Sequence, residues 1–282
     1  MQYLKDYRED LYDILMDLHK IKKSEENCLL NQISQESHIL YEIPAEDKSS
    51  IIKVAENFLN IENSQFWKNI ELCYKKAENL KLIKNQEETD ISYYINEFDE
   101  LWLCLNIDVQ LRYYNQVYSF VCERYKDKNI SIGDYGCGSA SLTFALNKKL
   151  NFNKIGLYDI ENFVSNFVQY YIDKEKISIA KRYNVLEDNN ETYDLITCSD
   201  VLEHIEKSSE VLKKIYKKLN KNGCLILRVA FEAESIGHLP QSAENFFIKS
   251  DGWEFLNKNF DLIHNFDFDG GLLINGCYQR KE

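Results

Sequence analysis

Hydrophobic positions recur at intervals of three and four through the first ~125 residues, and in short β-rich runs after that. Over residues 3–22, Leu4, Tyr7, Leu11, Ile14, Leu18 and Ile21 fall on one stripe and predict an amphipathic helix. A second helix is expected from Ser64, whose hydroxyl can cap the free amides, through Phe66, Trp67, Ile70, Cys73, Tyr74 and Ala77. Stripes over 91–105 and 109–125 predict further helices. Residues 28–44 fit either a short hairpin or a broken helix.

From residue 128 onward, strand-like runs alternate with amphipathic stretches. The strand candidates are Ile130–Asp134, Ile155–Tyr158, Ile177–Arg182, Tyr193–Thr197 and Cys224–Ala230. Helices are expected at Leu142–Leu150, Asn162–Lys174, Ser208–Leu219 and Gly252–Asn259. Leu262–Phe268 and Leu272–Tyr278, joined at Gly270-Gly271, read as a β-hairpin. This alternation predicts βαβ units. The expected fold is α/β: a doubly wound, seven-stranded, mostly parallel sheet with a C-terminal antiparallel hairpin, plus an N-terminal helical cap. The division falls at a change of pattern, with residues 1–125 as cap or lid and 126–282 as the sheet domain.

Composition narrows the partners. The 282 residues are 44% hydrophobic and 13% aromatic, enough for a sizeable core. No apolar run reaches the roughly 20 residues of a membrane-spanning helix, and the first residues lack a secretory layout. The expectation is a cytoplasmic protein without a membrane partner. None of the eight cysteines forms a C-x-x-C pair, so no metal site is expected and the thiols read as small buried hydrophobes. A net charge of -12 disfavours a nucleic-acid partner. Lys213-Lys214 and Lys217-Lys218 sit at helical spacing, as on a solvated face.

The first strand runs into Asp134-Tyr135-Gly136-Cys137-Gly138-Ser139-Ala140, where glycines let the backbone turn sharply and approach a ligand. In open α/β sheets ligands sit beyond the carboxyl ends of the strands, where this loop falls. Asp159 closes the next strand and can accept hydrogen bonds from ribose hydroxyls; it could instead cap the following helix. Both NAD and S-adenosylmethionine suit such a pair. A dinucleotide fingerprint needs a third glycine, and Ser141 holds that position.

The segment Tyr193-Asp194-Leu195-Ile196-Thr197-Cys198-Ser199-Asp200-Val201-Leu202-Glu203-His204-Ile205 resembles the fourth-strand motif of class I S-adenosylmethionine-dependent methyltransferases. Leu219–Leu227 resembles the helix-turn-strand that follows in that family, and the terminal hairpin resembles its hallmark. The resemblance spans residues 129–282 and implies S-adenosylmethionine as cofactor. It implies that Asp134, Gly136 and Gly138, with Tyr135 and Cys137 in the same loop, hold the methionine portion and that Asp159 holds the ribose. Ile160 would pack on the adenine, Asn184 and Val185 would stand where the family contacts the adenine amine, and Ser199 and Asp200 would line the floor near the sulfonium. Arg112, Tyr113 and Tyr114, ahead of the first strand, are candidates to close over the cofactor; they suit an ordinary helix face equally.

Methyl transfer to a hydroxyl or ammonium group also needs a base, and histidine has a suitable pKa. His238, in the connection after the fifth strand, ranks ahead of His204 because loops more often carry function. Both also suit structural roles. The expected reaction is in-line transfer of a methyl group to oxygen or nitrogen of a small-molecule acceptor. A protein or RNA methyltransferase, or a catalytically inactive cofactor-binding partner protein, are the alternatives.

Overall fold

A computed structural model describes residues 8–18, 20, 42–83, 99–185, 189–231, 238–266 and 274–282. Its centre is one seven-stranded sheet in the order β3-β2-β1-β4-β5-β7-β6. The strands are β1 (Asn129–Tyr135), β2 (Asn151–Asp159), β3 (Ala180–Asn184), β4 (Tyr193–Ser199), β5 (Leu219–Val229), β6 (Phe260–Asn265) and β7 (Ile274–Arg280). The first five pair in parallel, while β7 runs antiparallel to both β5 and β6. The central strands are buried almost end to end, as expected of a sheet covered on both faces. The chain winds outward through β2 and β3, then reverses through β4 and β5. The carboxyl ends of β1 and β4 therefore form the switch point at which such sheets bind ligands.

Helices cover both faces. The described helices are α1 (9–18), α2 (Ala45–Leu59), α3 (Asn63–Ile83), α4 (Glu100–Tyr113), α5 (Asn115–Arg124), α6 (Ser141–Lys149), α7 (Phe163–Glu175), α8 (Ser208–Lys218), α9 (Pro240–Glu244) and α10 (Gly252–Asn259). On one face a single apolar cluster joins Ile51 and Val54 of α2, Phe66 of α3, Leu103 and Ile107 of α4, and Val117 of α5 to Phe144, Phe167, Ile132 and Ile155. The N-terminal helices thus share their core with the sheet. The opposite cluster joins Leu11 and Leu15 of α1 to Leu212, Ile215, Phe246 and Leu256. Arg8 pairs with buried Glu244 beside it.

The expected seven strands are present, with their boundaries moved by a few residues. β3 starts at Ala180 rather than Ile177, because Lys176 adopts a left-handed C-cap and the Ile177 N–H closes α7 on Ile172. The expected helix over 109–125 is instead broken: α4 ends and α5 begins at Tyr114, whose φ of -101° and ψ of 19° leave the helical region. Helix α2 was not anticipated, although Ile51, Val54, Ala55 and Phe58 form a regular stripe on it. Helix α9 and the π-helical turn Asn245–Lys249 were also unforeseen. The ends of the first expected helix, most of 28–44, the start of the stripe over 91–105 and the Gly270-Gly271 turn lie outside the described residues. No described helix is long and apolar enough to cross a membrane.

Candidate functional site

The site begins where β1 turns into α6. Gly136 and Gly138 both lie at positive φ, +70° and +52°, which L side chains adopt at a cost. A Cβ at Gly136 would come within 2.3 Å of the Val201 side chain, and one at Gly138 within 2.6 Å of Asn106 Oδ1. The Tyr158 carbonyl accepts the N–H groups of Gly136 and Cys137 at 2.8 and 3.1 Å, fastening the loop to the end of β2. Asp134 sits beneath it, 8% exposed, and takes the Thr143 and Thr197 hydroxyls at 2.6 Å each. Burial raises its pKa while the two hydroxyls oppose the shift. This carboxylate ties α6 and β4 to the strand from which the loop departs.

The N-terminal helices reach this loop directly. Ala140, the N-cap of α6, has no side-chain oxygen to offer the free amides of the first turn. Gln110 of α4 supplies one: its Oε1 accepts the Leu142 N–H at 3.1 Å while its Nε2 donates to the Cys137 carbonyl at 2.9 Å. One turn earlier, Asn106 Oδ1 accepts the Ser139 N–H at 2.7 Å and the Gln110 Nε2 at 3.1 Å. The spacing of four places both amides on one helix face. Sequence reasoning missed them; the signal was a pair of amides within the apolar run from Leu103 to Leu111.

At the end of β2, Asp159 receives the Gly138 N–H at 2.6 Å on one carboxylate oxygen and the Ile160 N–H at 2.7 Å on the other. It does not cap α7, since Asn162 does so in a capping box with Ser165. Burial pushes Asp159 up to about 6, with the two amides pulling against that shift; Asp134 raises it further and Arg182 lowers it. Asn184 stands opposite Asp159 in the β2–β3 register, and the Val185 N–H bonds the Asp159 carbonyl at 3.0 Å. Asp159, Ile160, Asn184 and Val185 therefore gather at one corner of the strand ends.

A second, more polar group lies at the ends of β4 and β5. Ser199 pairs in register with Arg228, and its hydroxyl is buried without a hydrogen-bond partner. Asp200 takes a left-handed φ of +56°, accepts the Tyr114 hydroxyl at 2.7 Å and lies 3.4 Å from the Arg228 guanidinium, which stacks over the Tyr114 ring. Burial raises the Tyr114 phenol, and the Asp200 charge adds to the shift. Glu203 follows in the 3₁₀ turn Leu202–His204, accepting the Ala230 N–H at 2.9 Å on Oε1 while buried Oε2 has no hydrogen-bond partner. Leaving such an oxygen without a partner costs on the order of 1–3 kcal/mol. Burial and the nearby Asp200 push Glu203 up to about 7. The His204 and His238 rings meet edge to face with centroids 4.8 Å apart.

The fold thus brings together Gly136, Gly138, Asp159, Ile160, Asn184 and Val185 on one side, and Ser199, Asp200, His204 and His238 on the other. It does not bring Arg112 or Tyr113 into either group. Arg112 pairs with Asp108 on its own helix at 2.8 Å, and Tyr113 is 47% exposed. The helix break at Tyr114 is what separates them: Tyr114 turns inward and its neighbour outward. Tyr135 and Cys137 shape the loop with their backbone. The Tyr135 side chain is buried in a stack on Tyr158, and the Cys137 thiol is buried with its pKa raised by that burial.

Residues 134–225 match a family model described as a methyltransferase domain. Over this segment the chain resembles class I S-adenosylmethionine-dependent methyltransferases. Among curated proteins, the malonyl-[acyl-carrier protein] O-methyltransferase of Calditerrivibrio nitroreducens is 21% identical over 138 residues, covering 47% of this chain and 52% of that protein. The mitochondrial ubiquinone biosynthesis O-methyltransferase of Saccharomyces cerevisiae is 24% identical over 162 residues, covering 56% and 50%. The chain spans about half the length of these curated relatives. Among solved structures, the ribosomal protein L11 methylase of Lactobacillus delbrueckii subsp. bulgaricus aligns with a TM-score of 0.41 at 16% identity, over 59% of this chain and 78% of that one.

Proposed function

We propose that this chain is a methyltransferase that binds S-adenosylmethionine across the ends of β1, β2 and β4 and methylates an oxygen or nitrogen of a small-molecule acceptor. The observation that carries the reading is Asp159: a buried carboxylate at the end of β2, hydrogen-bonded to the glycine loop and flanked by Ile160 and Asn184. The matched methyltransferase domain contains this residue, both glycines and the motif around Asp200. The O-methyltransferase names of the two curated relatives support an oxygen acceptor, and the ubiquinone-biosynthesis enzyme among them supports a small molecule.

The residues fit such a cofactor. The loop has no side chain at Gly136 or Gly138, so its backbone can lie against a ligand. Asp159 has lone pairs beyond those taken by two amides and can receive ribose hydroxyls, each bond to a charged acceptor being worth about 1.5–3 kcal/mol. Ile160 and Val185 offer apolar surface for a base, and the Asn184 amide can accept from its exocyclic amine. The Ser199 hydroxyl stands ready for a polar group. When bound, the cofactor supplies an electrophilic methyl group whose thioether leaves without needing a proton.

What remains for the protein is to align the acceptor and to assist the loss of its proton. Asp134, Asn106 and Gln110 hold the loop still. Tyr114 and Arg228 hold Asp200 in its strained conformation. His204, His238 and Glu203 then form the group at which an acceptor hydroxyl or ammonium can lose its proton. The test is a screen of hydroxylated and amino-bearing small molecules with methyl-labelled S-adenosylmethionine. Label should pass to at least one class, and transfer should fall at least tenfold in His238→Ala. Labelling confined to added protein or RNA would overturn the acceptor assignment.

A further inference from the structure

Glu203 and His204 are neighbours in the short turn after β4, and His238 returns to them ahead of α9. The Leu239 N–H donates to the Glu203 carbonyl at 2.8 Å, fastening that return. One potential ligand atom from each of Glu203, His204 and His238 lies within 4.8 Å of the other two. Glu203 is 1% exposed, and its Oε2 is buried without a hydrogen-bond partner. We propose that Glu203, His204 and His238 form a binding site for a divalent transition-metal ion.

The donor set chooses the class of ion. Two imidazoles with one carboxylate suit zinc, manganese, iron or cobalt, whereas calcium and magnesium prefer oxygen throughout. Ligand atoms bound at about 2.0–2.2 Å from a metal stand roughly 3–4 Å apart, so the group must close by about an ångström. The two imidazoles are only partly buried and can supply that movement by side-chain rotation, while the Glu203 carboxylate is already fixed by the Ala230 N–H. A cation would also satisfy the buried Oε2. Asp200, held by Tyr114 and Arg228, adds negative charge close by.

The consequence for chemistry rests on the proposed methyl transfer. Three protein ligands leave coordination positions for an acceptor hydroxyl, whose pKa a divalent ion lowers. The acceptor O–H bond then breaks with its proton passing to solvent. The oxygen lone pair forms the new C–O bond as the C–S bond of the donor breaks, its electrons leaving on the thioether. His204 and His238 act in this scheme as ligands rather than bases, and the favoured acceptor is an oxygen able to coordinate, such as a phenol or one of two adjacent hydroxyls.

The test uses the full chain, stripped with a chelator and titrated calorimetrically with Zn²⁺ in the absence of any cofactor. The proposal expects one equivalent at micromolar affinity or better, and a ligand-field spectrum when Co²⁺ replaces zinc. His238→Ala and Glu203→Gln should each weaken binding about tenfold or more, and His204→Asn serves if Glu203→Gln fails to fold. All three should keep the wild-type affinity for S-adenosylmethionine. Absence of stoichiometric metal binding, or binding unchanged in folded variants, would overturn the proposal. Intact S-adenosylmethionine binding in that case would leave the methyltransferase reading standing, and its loss alongside normal metal binding would strike that reading alone.

Discussion

The Asn106 side-chain oxygen lies 2.6 Å from where a Cβ on Gly138 would stand, and it accepts the N–H of the next residue, Ser139, at 2.7 Å. An N-terminal helix therefore shapes the glycine loop from outside the matched domain. Asn106→Ala and Gln110→Ala should each cost about 1–2 kcal/mol of stability, Gln110 acting as a helix cap supplied by another helix. Affinity for S-adenosylmethionine should also fall about five- to tenfold. Denaturant melts and calorimetry on the same samples check both, and unchanged affinity would reduce the contact to a structural one.

The two glycines should differ in their tolerance of a side chain. At Gly138 a new methyl group meets the end of the Asn106 side chain, which can give way only by loosening its bonds to Ser139 and Gln110, so Gly138→Ala should cost about 1–2 kcal/mol from its left-handed φ and those weakened bonds. At Gly136 it meets Val201, which is β-branched and stiff, so Gly136→Ala should destabilise more. Thermal melts of the two variants give the order. Adding Asn106→Ala to Gly138→Ala should recover only the steric part.

Asp159 makes ligand binding dependent on pH. Burial raises its pKa from 3.8 to about 6, so the folded protein holds this proton more tightly than the unfolded chain between those values. Its contribution to unliganded stability therefore rises as pH falls from 6 towards 4. Binding should move the opposite way, because only the carboxylate has both oxygens available to ribose hydroxyls. The dissociation constant should increase towards about tenfold per pH unit below 6. Asp159→Asn should bind weakly with no such inflection.

The parts of the site that lie next to each other in sequence were legible in it. Gly136, Gly138 and the strand-ending Asp159 announce themselves locally, and the strands fell where β-rich runs lay. Longer-range relationships were not legible. Asn106 meets a loop 33 residues later only because α4 packs against α6 and α7, and the pairing of Glu203 with His238 requires the chain to fold back after β5. The choice between Tyr113 and Tyr114 was also hidden, because continuous periodicity over 109–125 concealed the break that turns Tyr114 towards Asp200. Helix α2 carried a readable stripe beside the ambiguous segment that precedes it.

Tyr114→Phe isolates that break. It removes a buried hydrogen bond to a charged group while keeping the ring under Arg228, and should cost about 1.5–3 kcal/mol. Affinity for S-adenosylmethionine should change by less than about threefold, since Asp159 and the loop are untouched. A denaturant titration beside a binding isotherm measures the two effects separately. A larger loss of binding would assign the phenol to the cofactor side of the site.

The central claim is that Asp159 and the Gly136–Gly138 loop hold S-adenosylmethionine. Its most direct test is calorimetric titration of the folded chain with S-adenosylmethionine and S-adenosylhomocysteine, beside Asp159→Ala. One equivalent should bind in the micromolar range, and the folded variant should lose at least about 1.5–3 kcal/mol of that affinity. No binding by the folded wild type, or equal binding by Asp159→Ala, would contradict the account.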